Sequence, residues 1–385
     1  MTTVLLSVGD VSGDFVAADF VRALRALRPG VRFLGMGGDR MEKEGVELVV
    51  HQREVAAGGF VELLPELPRI VGAWRKMSHA LRSARPDLVV LVDSSGFNLP
   101  FARVAKRLGA PVLYYVAPQV WAWRRARIAK LARRVTRVAV ILPFEPEVYA
   151  GHPVRVTYVG HPLVDSIAQS RVSRDEARDT LGLPSKAQVV ALLPGSRRGE
   201  LHYQLGLYLE VARRLYARDR ALRFMLPVAP SLEVDAVKRR IEAAGLAGDF
   251  PLEVLAGRAR EVLAAADVAL AKPGTSTLEA ALLDCPLVVA ARTHPLTAAL
   301  VRRLVTLDSL TLPNLIAGTQ VVPEFLQEGA SAEAIAAALL SLLGGPSREK
   351  QRADLAQVAR ALGAGGAAEQ AARIAEEMLV ARLAA

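Results

Sequence analysis

The sequence predicts an α/β protein with two doubly wound, Rossmann-like domains that face each other across a cleft. Its 385 residues exceed what one hydrophobic core usually supports. Short apolar, β-branched runs alternate with amphipathic helical stretches along nearly the whole chain, which is typical of parallel sheets covered by helices on both faces. A polar helical stretch without a strand, residues 165–186, interrupts this alternation. We therefore expect an N-terminal domain at 1–170, a C-terminal domain at 171–350 and a helical tail at 351–385.

The individual elements can be assigned in chain order. In the first domain the strand candidates are "TVLLSV", "LVVLV", "PVLYYV", "RVAVIL" and "RVTYVG". After the first of them, Val16, Phe20, Leu24 and Leu27 recur at helical spacing, and Pro29 ends the helix. The second domain offers "QVVALLP", "RFMLPV", "LEVL", "DVALA" and "PLVVAA". The Ala-rich tail is expected to pack on the first domain or on a partner chain, and in the second case the protein would be a homodimer.

Composition narrows the classes of partner. The chain carries 49 Lys and Arg against 39 Asp and Glu, and its net charge of +10 favours polyanions such as phosphorylated substrates, anionic membranes or nucleic acid. The single cysteine, Cys285, excludes an intramolecular disulfide and lies in an apolar run that indicates core packing. No basic leader and no apolar run of about 18 residues is present, so we expect a cytoplasmic protein. No spacing of His, Asp and Glu predicts a metal site, and no cofactor is expected.

Two acidic segments follow strands of the first domain. "SVGDVSGD" contains Asp10 and Ser12, and "LVVLVDSSGFNLP" contains Asp93 and Asn98. In doubly wound domains such loops face the ligand cleft, so each carboxylate is a candidate acid or base. The alternative for both is a structural role, since Asp and Ser also cap helices and end strands in turns.

Two glycine-containing loops follow strands of the second domain. "LLPGSRRGE" brings backbone N–H groups and a guanidinium to a helix start, which suits a diphosphate. "AKPGTSTLEAAL" adds a tight turn, hydroxyl groups and a carboxylate that can accept from ribose hydroxyls. Each loop also has a structural alternative, which is a solvated turn for the first and a capping motif for the second. Together they are typical of a nucleotide-sugar site, with candidates Gly195, Ser196, Arg197, Gly274, Thr275, Ser276, Thr277 and Glu279.

Two further segments suit a lipid substrate. "YYVAPQVWAWRRARIAKLARRVTR" places Trp121 and Trp123 beside Arg124, Arg125 and further basic residues, as at an anionic membrane surface. Nucleic-acid binding and a solvated face with core tryptophans are the alternatives. "AAGGFVELLPELPRI", with Phe60, is either core or a surface for acyl chains.

The motifs resemble a known family. "SVGDVSGD", "GMGGDRM", "VDSSGFNLP", "YYVAPQVWAWR", "LPFE", "YVGHPL", "LLPGSRRGE", "GTSTLEAAL" and "LPNLIAGTQVVPEFLQ" stand in the order and approximate spacing of the lipid-A-disaccharide synthases, over about residues 3–328. These are metal-independent glycosyltransferases with the two-domain GT-B architecture. The resemblance implies that 2,3-diacylglucosamine is transferred from its UDP derivative to 2,3-diacylglucosamine 1-phosphate. It implies a β-1,6 bond formed with inversion, release of UDP, and a peripheral location at the inner face of the cytoplasmic membrane.

The resemblance also implies roles for individual residues. Arg197 and the turn 274–277 would hold the diphosphate, Glu279 the ribose, and Asn314 with Gln320 would line the donor pocket. Because the reaction inverts, it needs a base for the acceptor hydroxyl and stabilisation of the departing UDP. Asp93 and Asp10 are the candidate bases. Ser12, Asn98, Trp121, Trp123, Arg124, Arg125 and Phe60 are assigned to the acceptor and membrane side.

Two positions depart from the family pattern. Members usually read G-E-A-S-G-D where this chain has "GDVSGD", so Asp10 replaces a longer glutamate. They usually read D-x-P-D-F-N where it has "DSSGFN", so Gly96 replaces a second carboxylate. Two alternatives therefore accompany the implied activity. One is a UDP-sugar transferase with a different acceptor, and the other is a catalytically impaired lipid- or nucleotide-binding homologue. Nucleic acid is not expected as a partner.

Overall fold

The computed structural model describes residues 1–55, 63–119, 121, 126–170, 173–184, 186–246, 248–294, 298 and 309–384, apart from the side chains of 63–66 and 126. Over this part of the chain the contacts divide it into two compact units. The first unit comprises residues 1–165 and 364–385, and the second comprises 166–363. The structure therefore assigns residues 166–170 and 351–363 to the second unit, whereas the sequence places them in the first domain and in the tail.

The first unit is a parallel sheet with helices on both faces. Its strands, in chain order, are β1 Thr3–Val8, β2 Arg32–Gly37, β3 Glu47–His51, β4 Leu88–Val92, β5 Val112–Tyr115, β6 Arg137–Val140 and β7 Arg155–Tyr158. Its helices are α1 Val11–Leu27, α2 Asp39–Lys43, α3 Leu63–Ala84, α4 Ser95–Arg107, α5 Ala126–Arg134 and α6 Glu145–Val148, and α7 Pro162–Ser170 begins at its end. The order across the described sheet is β3-β2-β1-β4-β5-β6-β7, with every pair parallel.

The second unit repeats this plan. Its strands are β8 Val189–Leu193, β9 Arg223–Val228, β10 Leu252–Ala256, β11 Val268–Ala271, β12 Leu287–Ala291 and β13 Glu324–Leu326. Its helices are α8 Arg174–Thr180, α9 Arg198–Arg218, α10 Val234–Ala243, α11 Ala259–Ala265, α12 Ser276–Leu282, α13 Leu312–Ala317, α14 Ala332–Leu342 and α15 Pro346–Ala361. The described sheet has the order β10-β9-β8-β11-β12-β13, again all parallel.

Each strand order contains one topological switch point. In the first unit it lies between β1 and β4, where Val8 pairs with Val92. In the second it lies between β8 and β11, where Leu193 pairs with Ala271. Ligands of doubly wound sheets bind at the carboxyl ends of strands beside such a point, because the chain leaves the two strands toward opposite faces and opens a crevice. All four chemistry-bearing loops of the sequence analysis follow one of these four strands.

The cores explain the continuous apolar strands. Along β1, Val4, Leu6 and Val8 are buried in one cluster with α1, while Leu5 lies in the cluster on the opposite face. The second unit is likewise buried on both faces, and Cys285 lies in one of its clusters as predicted. The predicted strands and the first helix are confirmed. Strands β2, β3 and β13 were not predicted, because β2 contains two glycines, β3 is a partly exposed edge strand and β13 has three residues.

The final helix, α16 Ala367–Leu383, belongs to the first unit. Its Ala371, Ala372 and Ala375 are buried in one cluster with Ala17 and Ala18 of α1. Small side chains on both helices allow a close approach of the two backbones. The tail therefore packs on the first unit from residue 364, and α15, which precedes it, packs within the second unit.

Candidate active site

The loop after β1 turns directly into α1. The Asp10 carboxylate accepts hydrogen bonds from the Gly13 amide at 2.6 Å and from the Ser12 hydroxyl at 2.9 Å. This is an N-cap, which satisfies a backbone donor that the first helical turn leaves unpaired. A Cβ added at Gly9 would overlap the Ser94 side chain, so the loops after β1 and β4 touch here. Asp10 therefore lies at the switch point and also performs the capping role that was its structural alternative.

The loop after β4 has an unusual backbone. Asp93 and Ser94 have φ angles of 48° and 43°, in the left-handed region that non-glycine residues rarely occupy. The carbonyl of Asp93 accepts hydrogen bonds from the side-chain amide of Asn98 at 2.9 Å and from the hydroxyl of Tyr114 at 2.6 Å. Backbone strain of this kind persists only where surrounding bonds hold it. These bonds fix the main chain that carries the Asp93 carboxyl group.

Asn98 is the side chain that joins the two strand ends. It is fully buried, and its amide nitrogen also donates to the carbonyls of Ser7 at 3.1 Å and Val92 at 3.0 Å. Its oxygen accepts from the Ser7 hydroxyl at 2.6 Å. With its donors and its acceptor engaged inside the protein, Asn98 positions the Asp93 turn. The expectation that Asn98 itself contacts the acceptor stays a prediction.

Gly96 occupies the second position of α4 and is exposed. A Cβ built there has no heavy atom of the described chain within 4 Å beyond its own helical turn and neighbours. The position that carries a carboxylate in the family pattern therefore has space for a Cβ. Nothing in the local packing requires glycine at this position.

The loop after β8 is organised by an acidic side chain. The Glu200 carboxylate accepts from the amides of Ser196 at 2.9 Å and Arg197 at 3.3 Å, and from the Lys272 ammonium at 3.0 Å. Burial acts to raise the pKa of Glu200, but the Lys272 charge and these hydrogen bonds outweigh it and lower that pKa below its ordinary value. Ser196 and Arg197 are exposed. Gly195 has a φ of 131°, which glycine accommodates without strain.

The loop after β11 forms the other side of this switch point. Lys272 directly follows the strand, and the Thr277 hydroxyl donates to the Gly274 carbonyl at 2.7 Å, closing the turn. Thr277 is fully buried, Thr275 is exposed and Ser276 is partly exposed. The structure thus brings the two predicted phosphate loops together and makes the Thr277 side chain part of the turn itself.

Glu279 is held by a neighbouring arginine. The Arg260 guanidinium lies 3.3 Å from the Glu279 carboxylate and also donates to the carbonyl and hydroxyl of Ser166 at 3.1 and 2.8 Å. Glu279 retains about a fifth of its side-chain exposure. Its orientation is therefore fixed by Arg260, while the side chain stays partly exposed.

Asn314 and Gln320 differ from each other. Asn314 is buried, and it accepts from the amides of Val321 and Val322 at 2.8 Å while donating to the Glu324 carboxylate at 2.9 Å. It ties α13 to the segment before β13, and the expectation that its side chain lines the donor pocket stays a prediction. Gln320 is exposed in the loop that follows.

Trp121 is a core residue. It is 4% exposed, its indole N–H donates to the Glu145 carboxylate at 3.0 Å, and its ring packs edge-on against Phe144. Both the ring and its polar tip are engaged inside the first unit, as the core-tryptophan alternative expects, and the assignment of Trp121 to the acceptor and membrane side stays a prediction. Ser12 is exposed. The remaining acceptor-side residues, Phe60, Trp123, Arg124 and Arg125, lie outside the described residues.

Comparisons with known proteins decide the family. The family model described as lipid-A-disaccharide synthetase matches residues 4–378. The lipid-A-disaccharide synthase of Geobacter metallireducens is 41% identical over 379 residues, covering 98% of this chain and 97% of that protein. Those of Syntrophus aciditrophicus and Myxococcus xanthus are each 40% identical, over 96% and 98% of this chain and 96% and 97% of theirs. The chain belongs to the lipid-A-disaccharide synthase family.

The family match extends beyond the motifs that suggested it, because it includes most of α16. Solved structures agree on the fold. The calicheamicin glycosyltransferase CalG4 has a TM-score of 0.62 at 16% identity over all of both chains. MurG of Acinetobacter baumannii has a TM-score of 0.57 at 14% identity over 98% of this chain and 99% of that one. The predicted GT-B architecture of two Rossmann-like domains is confirmed.

Three residues of the second unit were missed by sequence reasoning. Glu200 and Lys272 stand at the edges of the two predicted loops, and Arg260 begins a separate helical segment. A signal was present for Glu200, which stands three residues after Arg197 at the capping position of α9. The pairing of Lys272 with Glu200 and of Arg260 with Glu279 depends on the order of strands in the sheet. No local pattern encodes that order.

Among the described residues, no group of three His, Cys, Asp or Glu side chains is arranged to hold a metal ion. None of the helices that the structure describes combines the length and apolar character needed to span a bilayer.

Proposed function

We propose that this chain transfers 2,3-diacylglucosamine from its UDP derivative to 2,3-diacylglucosamine 1-phosphate, forming the β-1,6-linked disaccharide 1-phosphate and releasing UDP. The observation that carries the proposal is the position of the chemistry-bearing loops. Within the family fold, the acidic loops of the first unit and the glycine loops of the second each meet at the switch point of their own sheet. This is where doubly wound sheets bind ligands.

In the donor half, exposed Ser196 and Arg197 and the turn at Gly274 and Thr275 are proposed to hold the diphosphate. Charge-assisted bonds from a guanidinium and backbone N–H groups stabilise the negative charge that develops on departing UDP. Glu279, with its orientation fixed by Arg260, is proposed to accept hydrogen bonds from the ribose.

In the acceptor half, Asp93 is proposed as the base that removes the proton of the acceptor hydroxyl. The carboxylate follows a buried strand, and its backbone is held by Asn98 and Tyr114. A base needs such a fixed position because proton transfer requires approach to within hydrogen-bond distance. Asp10 is the second candidate, but its carboxylate already caps α1, so we assign it the lesser role.

The test is an assay of the purified protein with both acylated substrates in detergent. We expect UDP release and disaccharide formation in equal amounts, and we expect Asp93→Asn to lower kcat at least about 100-fold. Release of UDP only with another acceptor would replace this function by that of a transferase with a different acceptor. Binding of UDP without any transfer would make the chain an impaired, nucleotide-binding homologue, as the glycine at position 96 would allow.

We also propose that the first unit binds the membrane surface from which acylated substrates are taken. The support is the charge of α5, where Lys130 and Arg133 are exposed and Arg134 is partly exposed. Cations near an anionic leaflet contribute about 1 kcal/mol each. The double variant Lys130→Glu, Arg133→Glu should therefore sediment at least about 10-fold less with vesicles containing anionic lipid than the unmodified protein.

The control variant reverses the charge of two neighbouring exposed residues of the second unit, by Lys238→Glu and Arg239→Glu in α10. An equal loss in both variants would mean that net charge alone drives binding and would overturn the assignment to α5. Unchanged sedimentation of the α5 variant would overturn it as well.

A further inference from the structure

An ion pair crosses the switch point of the second unit. The Lys272 ammonium lies 3.0 Å from the Glu200 carboxylate, and both side chains keep about a quarter of their exposure. Lys272 follows β11, and Glu200 lies in the first turn of α9, which follows β8. The pair therefore connects the two loops that are proposed to hold the diphosphate.

Gly195 and Gly274, one in each loop, lie close to the side chains of this ion pair. A Cβ added at Gly195 would lie 2.6 Å from the Glu200 Cβ, and one added at Gly274 would lie 3.3 Å from the Lys272 ammonium. Gly195 and Gly274 also have φ angles of 131° and 150°. The absence of side chains at both glycines thus leaves space for the Glu200 carboxylate and the Lys272 ammonium.

The Glu200 carboxylate takes the hydrogen bonds that a phosphate would need. One of its oxygens accepts from the Ser196 and Arg197 amides, and the other accepts from Lys272. A carboxylate and a phosphate compete for the same donors, since both are anions that accept from backbone N–H groups at a helix start. A diphosphate that takes these amides must displace Glu200, and displacement releases Lys272 from its partner.

We infer that Glu200 and Lys272 form an exchangeable ion pair in the donor site. On binding, oxygens of the nucleoside diphosphate replace the Glu200 carboxylate at the amides of Ser196 and Arg197, and Lys272 becomes a counter-ion of the diphosphate. This inference rests on the proposed function, because it requires that the second unit binds UDP. It assigns the two residues opposite effects, with Lys272 strengthening and Glu200 weakening the affinity for the diphosphate.

Isothermal titration of the full-length protein with UDP and with uridine tests the exchange. Lys272→Met should raise the Kd for UDP at least about 10-fold, because a charge-assisted contact is lost. Glu200→Gln should lower that Kd at least about 3-fold, because the amide of glutamine still accepts from the loop but competes without a charge. Neither change should alter the Kd for uridine, which lacks phosphate.

The double variant Lys272→Met, Glu200→Gln distinguishes a direct contact between Lys272 and the diphosphate from neutralisation of the Glu200 charge by Lys272. If Lys272 contacts the diphosphate, Lys272→Met should weaken UDP binding even when Glu200 is already glutamine. If Lys272 only neutralises Glu200, the double variant should bind UDP as tightly as Glu200→Gln, and the inference is overturned. Lys272→Arg should restore most of the affinity that methionine loses. Thermal unfolding without nucleotide checks that each variant is folded.

The outcomes also distinguish a failure of the ion-pair exchange from a failure of the proposed function. If the unmodified protein binds no UDP, both are overturned. If it binds UDP and makes the disaccharide, but both single variants shift the Kd for UDP in the same direction, only the exchange is overturned. Equal effects on UDP and uridine would likewise reject the exchange, since they would indicate a general change of the loops.

Discussion

Gly96 lies in the first turn of a helix that follows the Asp93 turn, at a position where the family pattern has a carboxylate. A Cβ added there would meet no described heavy atom within 4 Å beyond its immediate surroundings. Aspartate is also favourable in a first helical turn, where it interacts with the positive end of the helix dipole. The position therefore allows a gain of function to be tested without an expected loss of folding.

We expect Gly96→Asp to raise kcat at least about 10-fold, because it adds the second carboxylate of the family pattern to Asp93, the proposed base, and positioned acid–base groups typically contribute that much or more. Gly96→Asn provides the matched control, with nearly the same shape and no proton acceptor of comparable basicity. Initial rates of disaccharide formation measure the effect. Equal rates for the two variants would show that a carboxylate at position 96 takes no part in this chain's chemistry, leaving proton transfer to Asp93 or Asp10.

At the scale of elements, α6 and the segment before α5 are joined by a buried carboxyl group. Glu145 is 1% exposed and accepts from the Leu142 and Ile141 amides as well as the Trp121 indole. Burial raises its pKa from 4.5 to about 7, and the three hydrogen bonds act in the opposite direction. The residue is therefore a titratable group within the core of the first unit.

The sign of its effect on stability follows from linkage. Between pH 4.5 and about 7 the folded protein holds a proton that the unfolded chain has released, so the free energy of unfolding falls as pH rises through this window. Glu145→Gln cannot titrate. Relative to the unmodified protein, it should gain stability from about pH 5 to about pH 8, by at most about 3 kcal/mol.

Denaturant unfolding followed by tryptophan fluorescence measures this difference at each pH. Glu147→Gln, at an exposed position of the same helix, is the control and should show the same pH dependence as the unmodified protein. If the Glu145→Gln curve also runs parallel to that of the unmodified protein, the carboxyl group is ionised throughout and its hydrogen bonds outweigh its burial.

At the scale of the whole molecule, the chain leaves the first unit after residue 165 and returns to it at residue 364. Asp165 accepts from the amides of Gly366 at 2.7 Å and Ala367 at 3.1 Å, so the residue that ends one segment of this unit caps the helix that begins the other. Arg28 and Arg137 then pair with Glu376 and Glu377 of α16. We assign most of the stabilisation to the apolar packing against α1, because ion pairs that keep contact with solvent contribute little.

We expect Ala375→Asp to lower the free energy of unfolding of the first unit by at least about 3 kcal/mol, since it buries an unpaired charge at a fully buried position. Val380→Asp, on the same helix but 53% exposed, should change it by less than about 0.5 kcal/mol. All three tryptophans fall between residues 74 and 123, so their fluorescence reports on the first unit.

Added UDP provides an independent signal from the second unit, because a ligand stabilises only the state that binds it. In the Ala375→Asp variant the tryptophan transition should shift while the Kd for UDP stays unchanged. Equal destabilisation by both aspartate variants would contradict the packing of α16 on α1.

The sequence by itself determined the fold class, the family and the loops that carry the chemistry. Strand periodicity, helix stops and motif order are properties of the linear sequence, so they can be recognised without knowing which strands are neighbours. Only the tertiary structure decided which side chains meet. It showed that Asn98 and Asn314 are buried and hydrogen-bonded within their own units, placed Trp121 in the core, and joined Glu200 to Lys272 across a switch point. The physical reason is that burial, and contacts such as that between Glu200 and Lys272, 72 positions apart, depend on strand order and packing, which no single segment of the chain encodes.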